Sequence, residues 1–354
     1  METLSKGVQL AEENYPVDTV FLDYNTVKKS ADDFMTCLGT NRTNNPPEDN
    51  WFVLPSGDKV KVSHNNIVRL SLFGDGDPMH TILALYEPTR ETHVIALYLN
   101  GKWWPVCNIL KTSNTSRSGL VTVRSVGERV VLFLLSQVIF GVLERPPDGD
   151  TYFAPHPEKE FAKIVWQDGE AAGFYTVKRK GTLCDGCSGL SYLLPVLDTV
   201  FVRTQFRRRG LALRMLEDFC VSHGKEEFIG ISRPVSSGMY QVCRKYLQAQ
   251  ERDRERLYEV EAPGGWTQRR NVWLSVQLSR CSENADSSLE KNLSEVESES
   301  IGTSGKAEKG PDVPNAASVD TAAHKARRNP RRCRTRPTAE EEESGNSKQS
   351  RVLN

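Results

Sequence analysis

Neither sign of charge predominates in this sequence: 46 Lys and Arg balance 46 Asp and Glu over 354 residues. That balance excludes a chain held to nucleic acid by bulk charge and leaves only local clusters to act on phosphates. Cysteine is scarce, eight in all, too few for the dense disulfide framework of a small secreted domain. Long hydrophobic runs are also missing. The most apolar, Val130–Leu143, is bounded by Arg129 and Glu144. As a helix it spans roughly 21 Å, short of the roughly 30 Å hydrocarbon core, so it reads as a buried helix or a strand pair and not as a transmembrane segment. Met1 to Val20 has no basic start followed by an apolar stretch, and no secretory signal is expected. These absences together predict a soluble, reduced protein of the nucleus or cytoplasm.

Aromatic residues are missing from one end. All 6 Trp, 10 Tyr and 13 Phe precede Cys281, and the mean hydropathy of −0.49 is low for a wholly folded chain. A core is therefore expected within residues 1–281, and a disordered tail over 282–354, where apolar surface is too sparse to offset chain entropy. Inside the tail, Lys325 to Arg336 places seven basic residues in twelve positions, followed by the acidic block Glu340 to Glu343. Such a cluster suits a nuclear import receptor or phosphates; the alternative is a solvated charge run whose halves neutralise each other.

The rest divides into a β-rich N-terminal region, 1–119, and a mixed α/β domain, 120–281. In the first, the runs Val17–Leu22, Trp51–Leu54, Ile82–Tyr86 and Val94–Leu99 read as strands separated by turn residues. Asn100-Gly101 before Lys102-Trp103-Trp104-Pro105 predicts a hairpin with the two indoles on opposite faces. In the second, Phe161–Trp166 and Ala171–Val177 flank an Asp168-Gly169 turn. Tyr192–Val202 follows as a long strand pattern, in which Pro195 implies an edge, a bulge or a splay. Ala212, Met215, Leu216, Phe219 and Cys220 form one helical stripe, and Met239, Val242, Cys243, Tyr246 and Leu247 repeat its spacing. Glu226–Ile231, Leu257–Val260 and Asn271–Leu278 read as strands. The expected class is a mixed sheet with helices packed on it.

The chemistry is expected at Val202-Arg-Thr-Gln-Phe-Arg207-Arg208-Arg209-Gly210-Leu211-Ala212, between a strand and a helix. Free backbone N–H groups and the positive dipole end of a helix favour a phosphate. Gly210 permits close approach of the backbone, and the three arginines supply counter-charge.

Residues 161–278 resemble a GNAT-type N-acyltransferase, whose phosphate loop runs Gln or Arg, two residues, Gly, one residue, then Gly or Ala. Arg207, Gly210 and Ala212 match those positions, and Val202 matches the apolar end of the family's fourth strand. The resemblance implies that the backbone of Arg207 to Ala212 holds the pyrophosphate of acetyl-coenzyme A, with a strand splay admitting the pantetheine arm. The run Tyr192 to Arg203 and Met215-Leu-Glu-Asp-Phe219 also resemble the soluble lamin-associated protein family, as its shorter paralogue. That likeness implies nuclear-envelope or lamina partners.

Asp198, four residues before Val202 where similar polyamine acetyltransferases carry an acidic base, is the candidate to receive the amine proton; the alternative is an Asp bonding a turn or helix end. The family's thiolate-protonating Tyr position falls on Cys243, with Tyr240 one turn earlier. Arg208 stands where the family loop often has Gly. Cys184-Asp-Gly-Cys187 lacks two further ligands at zinc spacing, and no metal is expected. Two functions follow: an acyl-coenzyme A-dependent N-acetyltransferase, or a catalytically silent interaction module of the nucleus or its envelope.

Overall fold

A computed structural model describes residues 15–19, 22–40, 51–145, 154–185 and 188–278. The tail after 278, with its basic cluster at 325–336, and Cys187 lie outside the described residues.

The N-terminal strand expected at Val17–Leu22 is replaced by a 3-10 turn over Pro16–Asp18. Asp18 anchors it to the segment before the second sheet: its carboxylate accepts from Thr112 Oγ1 at 2.5 Å and from the Ser113 N–H at 2.7 Å. Helix α1, Tyr24–Thr40, was not expected in a β-rich region. Its start is fixed by Asp23, which accepts from the Thr26 N–H at 2.8 Å, and its buried residues Val27 and Ala31 lie four apart.

Strands β1 (Trp51–Val53) and β2 (Lys59–Lys61) form a hairpin. Strands β3 (Ile67–Ser71), β4 (Thr81–Glu87), β5 (Arg90–Leu99) and β6 (Lys102–Pro105) form an antiparallel sheet in that order. Asn100 and Gly101 both take positive φ, 49° and 83°, the two-residue turn that their identity predicts. Trp103 packs in the cluster of Phe52, Val60 and Leu83, whereas Trp104 joins that of Ile82, Ala84 and Leu97.

After the short helix α2 (Val106–Ile109) and β7 (Gly119–Thr122), the capping box of Ser125 and Glu128 opens α3, Val126–Phe133. It runs straight into a π-wound segment, Leu134–Leu143. The apolar run is therefore helix and not a strand pair. With the turn before it, the helix reaches 18 residues, a length and composition that pass for a membrane span. Its burial explains the composition. Val130, Val131, Leu134, Leu135, Val138 and Ile139 pack in one cluster with Ile82, Ala84 and Leu97 from the first sheet and Ala162, Ile164, Phe174 and Phe201 from the second.

That second sheet has seven strands: β7, β8 (Phe161–Gln167), β9 (Glu170–Lys178), β10 (Val196–Val202), β11 (Ile229–Ser232), β12 (Leu257–Val260) and β13 (Arg269–Asn271), in chain order across the sheet. The pairs β10–β11 and β11–β12 are parallel and the others antiparallel. Helices α4 (Leu211–Ser222) and α5 (Ser237–Ala249) cover the opposite face, burying Met215, Leu216, Phe219, Cys220, Cys243 and Leu247 against Val165, Ala172 and Leu197. The architecture is mixed α/β, as expected. The segment Asn271–Leu278 departs from expectation: its strand ends at Asn271, whose side chain accepts from the Leu274 N–H at 2.9 Å and opens a helix over 272–278.

Candidate functional site

Strand β10 is held differently on its two sides. Against β9 its register slips between Leu197 and Val200, a bulge. Against β11 it pairs only at Val196 with Gly230 and Leu197 with Ile231, then runs on to Val202 without that neighbour. Two parallel strands thus part beyond Leu197. The bulged side is close-packed: a Cβ on Gly173 of β9 would lie 2.2 Å from the Phe201 carbonyl oxygen, so only glycine fits.

Beyond Val202 the chain makes a 3-10 turn over Thr204–Phe206 and reaches α4 through Arg207 to Gly210. Gly210 caps the helix with φ +78°, a left-handed conformation that glycine adopts without strain, and makes no side-chain cap. The N–H groups of Leu211, Ala212 and Leu213 meet no acceptor among the described residues. Arg208 also has positive φ, 62°. The glycine of similar loops thus gives way to an arginine in a conformation costly for it.

These amides open on a cleft of about 330 Å³. Val202, Phe206, Arg208 and the first turn of α4 form one wall, and Gln241, Val242 and Lys245 of α5 form the other. Arg207 lines the cleft, but its guanidinium is turned back: Nε donates to the Val202 carbonyl at 2.9 Å, and a terminal nitrogen lies 3.7 Å from Glu144. Glu144 also accepts from the N–H and the hydroxyl of Thr204, each at 2.7 Å. The cationic supply to the cleft is thus Arg208 and Lys245, with Arg207 as a strut. Sequence reasoning missed Glu144 and Lys245. Glu144 was visible only as the end of an apolar run, and Lys245 only by lying three residues after Val242 on one helical face.

The three candidate catalytic residues do not converge. Leu197 faces α4, so Asp198 lies on the other face of the sheet, where its carboxylate is 3.9 Å from Lys178 Nζ; Lys178 also pairs with buried Glu160 at 2.9 Å. His156 sits beside this group. Burial pushes its imidazole down to about 4, opposed by the negative charge of Asp198 and reinforced by Lys178 and Arg129. Cys243 is wholly buried between α4 and α5, and burial, with Cys220 beside it, raises its thiol to about 12. It is a packing residue with no path to the cleft. Tyr240 donates its hydroxyl to Glu259 at 2.7 Å, and burial and that bond push it up to about 12.

Among the described residues no three His, Cys, Asp or Glu side chains are grouped to hold a metal ion. Cys220 is buried, and the His223 ring is engaged with the Phe219 carbonyl at 2.9 Å.

A mouse protein, "Protein FAM169B" of Mus musculus, is 41% identical over 293 residues, which cover 82% of this chain and 86% of that protein. The chain belongs to the FAM169B family. The human "Protein FAM169BP" of Homo sapiens is 41% identical over 192 residues, 52% of this chain and 94% of that protein. No family model and no solved structure matches the chain. FAM169B membership corrects the assignment made from sequence: the names of these relatives carry neither lamin association nor an acyltransferase. The shorter-paralogue reading is withdrawn; the lamina or nuclear-envelope partners were implied by that resemblance alone, and the relatives' names say nothing of partners.

Proposed function

We propose that this chain binds acetyl-coenzyme A or a related acyl-coenzyme A with its diphosphate on the first turn of α4, in a GNAT-like arrangement of the seven-stranded sheet. The parting of β10 from β11 beyond Leu197 carries the reading. It leaves unpaired strand edge for an extended pantetheine arm, whose amides can bond main chain as a third strand would. The arm leads from the free N–H groups of Leu211 to Leu213, where a diphosphate is favoured.

Acyl transfer to an amine fits the same geometry. The amine nitrogen attacks the thioester carbonyl, the C–N bond forms and the C–S bond breaks. Asp198, on the face of the sheet away from α4, would have to receive the amine proton across the parted strands, directly or through water. The thiolate then needs a proton. The wholly buried thiol of Cys243 and the Glu259-bound hydroxyl of Tyr240 favour a second reading, an acyl-coenzyme A-binding module without turnover. Nuclear entry through 325–336 belongs to either reading; deleting those residues should move a fluorescent fusion out of the nucleus, and unchanged localisation removes the idea.

Calorimetry and thermal shift with acetyl-coenzyme A test the proposal. A ligand that binds only the folded state, at about 100 times its dissociation constant, adds roughly 2.7 kcal/mol of stability. No shift and no heat would discard it. Binding without thiol release over a panel of amines would select the silent module.

A further inference from the structure

The first turn of α4 has a second groove on its other flank. It too is about 330 Å³, and it shares Leu211 with the cleft. Gly119 of β7, Trp166 and Gln167 of β8, and Arg209 and Arg214 line it.

The arginines around this loop are not equivalent. Arg117 is paired with Glu128, Arg203 with Glu170, and Arg207 lies beside Glu144. Arg209 and Arg214 are exposed, and among the described residues neither has a carboxylate within 4 Å. Arg209 stacks over Phe206 at 5.5 Å, which limits its motion without using its N–H donors. One further group is unanswered. The Gln167 Oε1 is buried with no hydrogen-bond partner; the Trp166 ring, by contrast, packs with Ala162 and Ile164 on the α3 face of the sheet and only its strand position borders the groove. Buried polar atoms of folded chains rarely stay unpaired, so the Gln167 oxygen along a groove marks a place for a polar ligand.

Two guanidinium groups without counter-ions present forked donors that match a doubly charged phosphate better than a single carboxylate. We infer that this groove binds a phosphomonoester, and, resting on the acyl-coenzyme A reading, that the group is the 3′-phosphate on the ribose of coenzyme A. The placement is consistent with the ligand's own chemistry. Its diphosphate and its 3′-phosphate hang from one ribose, so a diphosphate on the amides beside Leu211 leaves the third phosphate within reach of the flank that carries Arg209 and Arg214.

Calorimetry on the full chain with coenzyme A and with 3′-dephospho-coenzyme A tests this. The parent protein should prefer coenzyme A by about tenfold, as a charge-assisted contact of this kind is worth. Arg209→Gln and Arg214→Gln should each reduce the preference. The double variant should abolish it while holding dephospho-coenzyme A to within about twofold of the parent. Equal affinity of the parent for both ligands would overturn this inference and leave the acyl-coenzyme A reading standing. Absence of binding by either would overturn both. Variants that weaken the two ligands equally would show a general field and not a phosphate site, and would also overturn it.

Discussion

Replacing Gly210 by Asn or by Asp separates the shape of the cradle from its charge. A Cβ at this position meets no atom within 4 Å, so neither side chain is excluded by packing. Both tolerate positive φ better than most residues do, and each variant should lose about 1 kcal/mol to the left-handed backbone, a fall in Tm of about 2–4 °C for a folded region of this size. The two variants differ by one negative charge at the positive end of α4. In the free protein that charge faces the unpaired amides of Leu211 to Leu213 and should return about 0.3–1 kcal/mol. In the complex it faces the diphosphate. At roughly 5 Å and an effective dielectric of about 40, two unit charges repel by about 1.7 kcal/mol, more than tenfold in Kd, and the second charge of a diphosphate adds to it. The Asp variant should therefore melt above the Asn variant yet bind acetyl-coenzyme A about 10–100 times more weakly. The gap in affinity should narrow as salt is raised. Scanning fluorimetry gives the first order and calorimetry the second. Equal affinities for the two variants, or an Asp variant less stable than the Asn variant, would refute the placement of an anion on these amides.

Gly173→Ala should be severely destabilising, by more than about 3 kcal/mol, because its methyl carbon would sit 2.2 Å from the Phe201 carbonyl; a urea midpoint close to the parent's would contradict the bulge. His156 makes stability depend on pH with a definite sign. Its folded value of about 4 lies below the ordinary 6.5, so the unfolded chain takes up the proton first. Stability should be full above pH 6.5, fall by up to about 3 kcal/mol towards pH 4 and then level off; an unchanged slope in His156→Phe would remove the cause. Asp198→Asn should leave the Kd for acetyl-coenzyme A unchanged and, where an amine is turned over, lower kcat by about a hundredfold. A wild-type kcat in that variant would exclude Asp198 as the base.

The outline of the second sheet was legible wherever a pattern is local. The Asp168-Gly169 turn, the stripes of α4 and α5 and the splay after Pro195 are encoded by spacing and by residues with special backbone preferences. Helix α1 escaped because the region around it is rich in strand residues and because its start depends on one Asp23 side chain. The helix over 272–278 was hidden by alternation: Val272 and Val276 are buried at a helical interval of four, but Trp273 and Leu274 between them imitate a strand. The loop between strand and helix was legible, since its parts are contiguous from Val202 to Leu213. Its long-range parts were not. Glu144 precedes Thr204 by 60 residues, and no local periodicity records their contact. Nor could spacing show that Asp198 and Tyr240 would lie on opposite faces of one sheet.

The wide winding of Leu134–Leu143 sets the bearing of the carboxylate at its end. Each residue of an ordinary helix advances by about 100° around the axis, so deleting one residue anywhere in that segment would swing Glu144 away from Thr204 and Arg207 without touching the loop that carries them. The core helix thus works as an indexed shaft between two sheets, with Glu144, the latch of the 204–207 loop, mounted on its tip. Repacking beneath the N-terminal sheet, where the same helix is buried, is therefore expected to reach the loop as a change of angle.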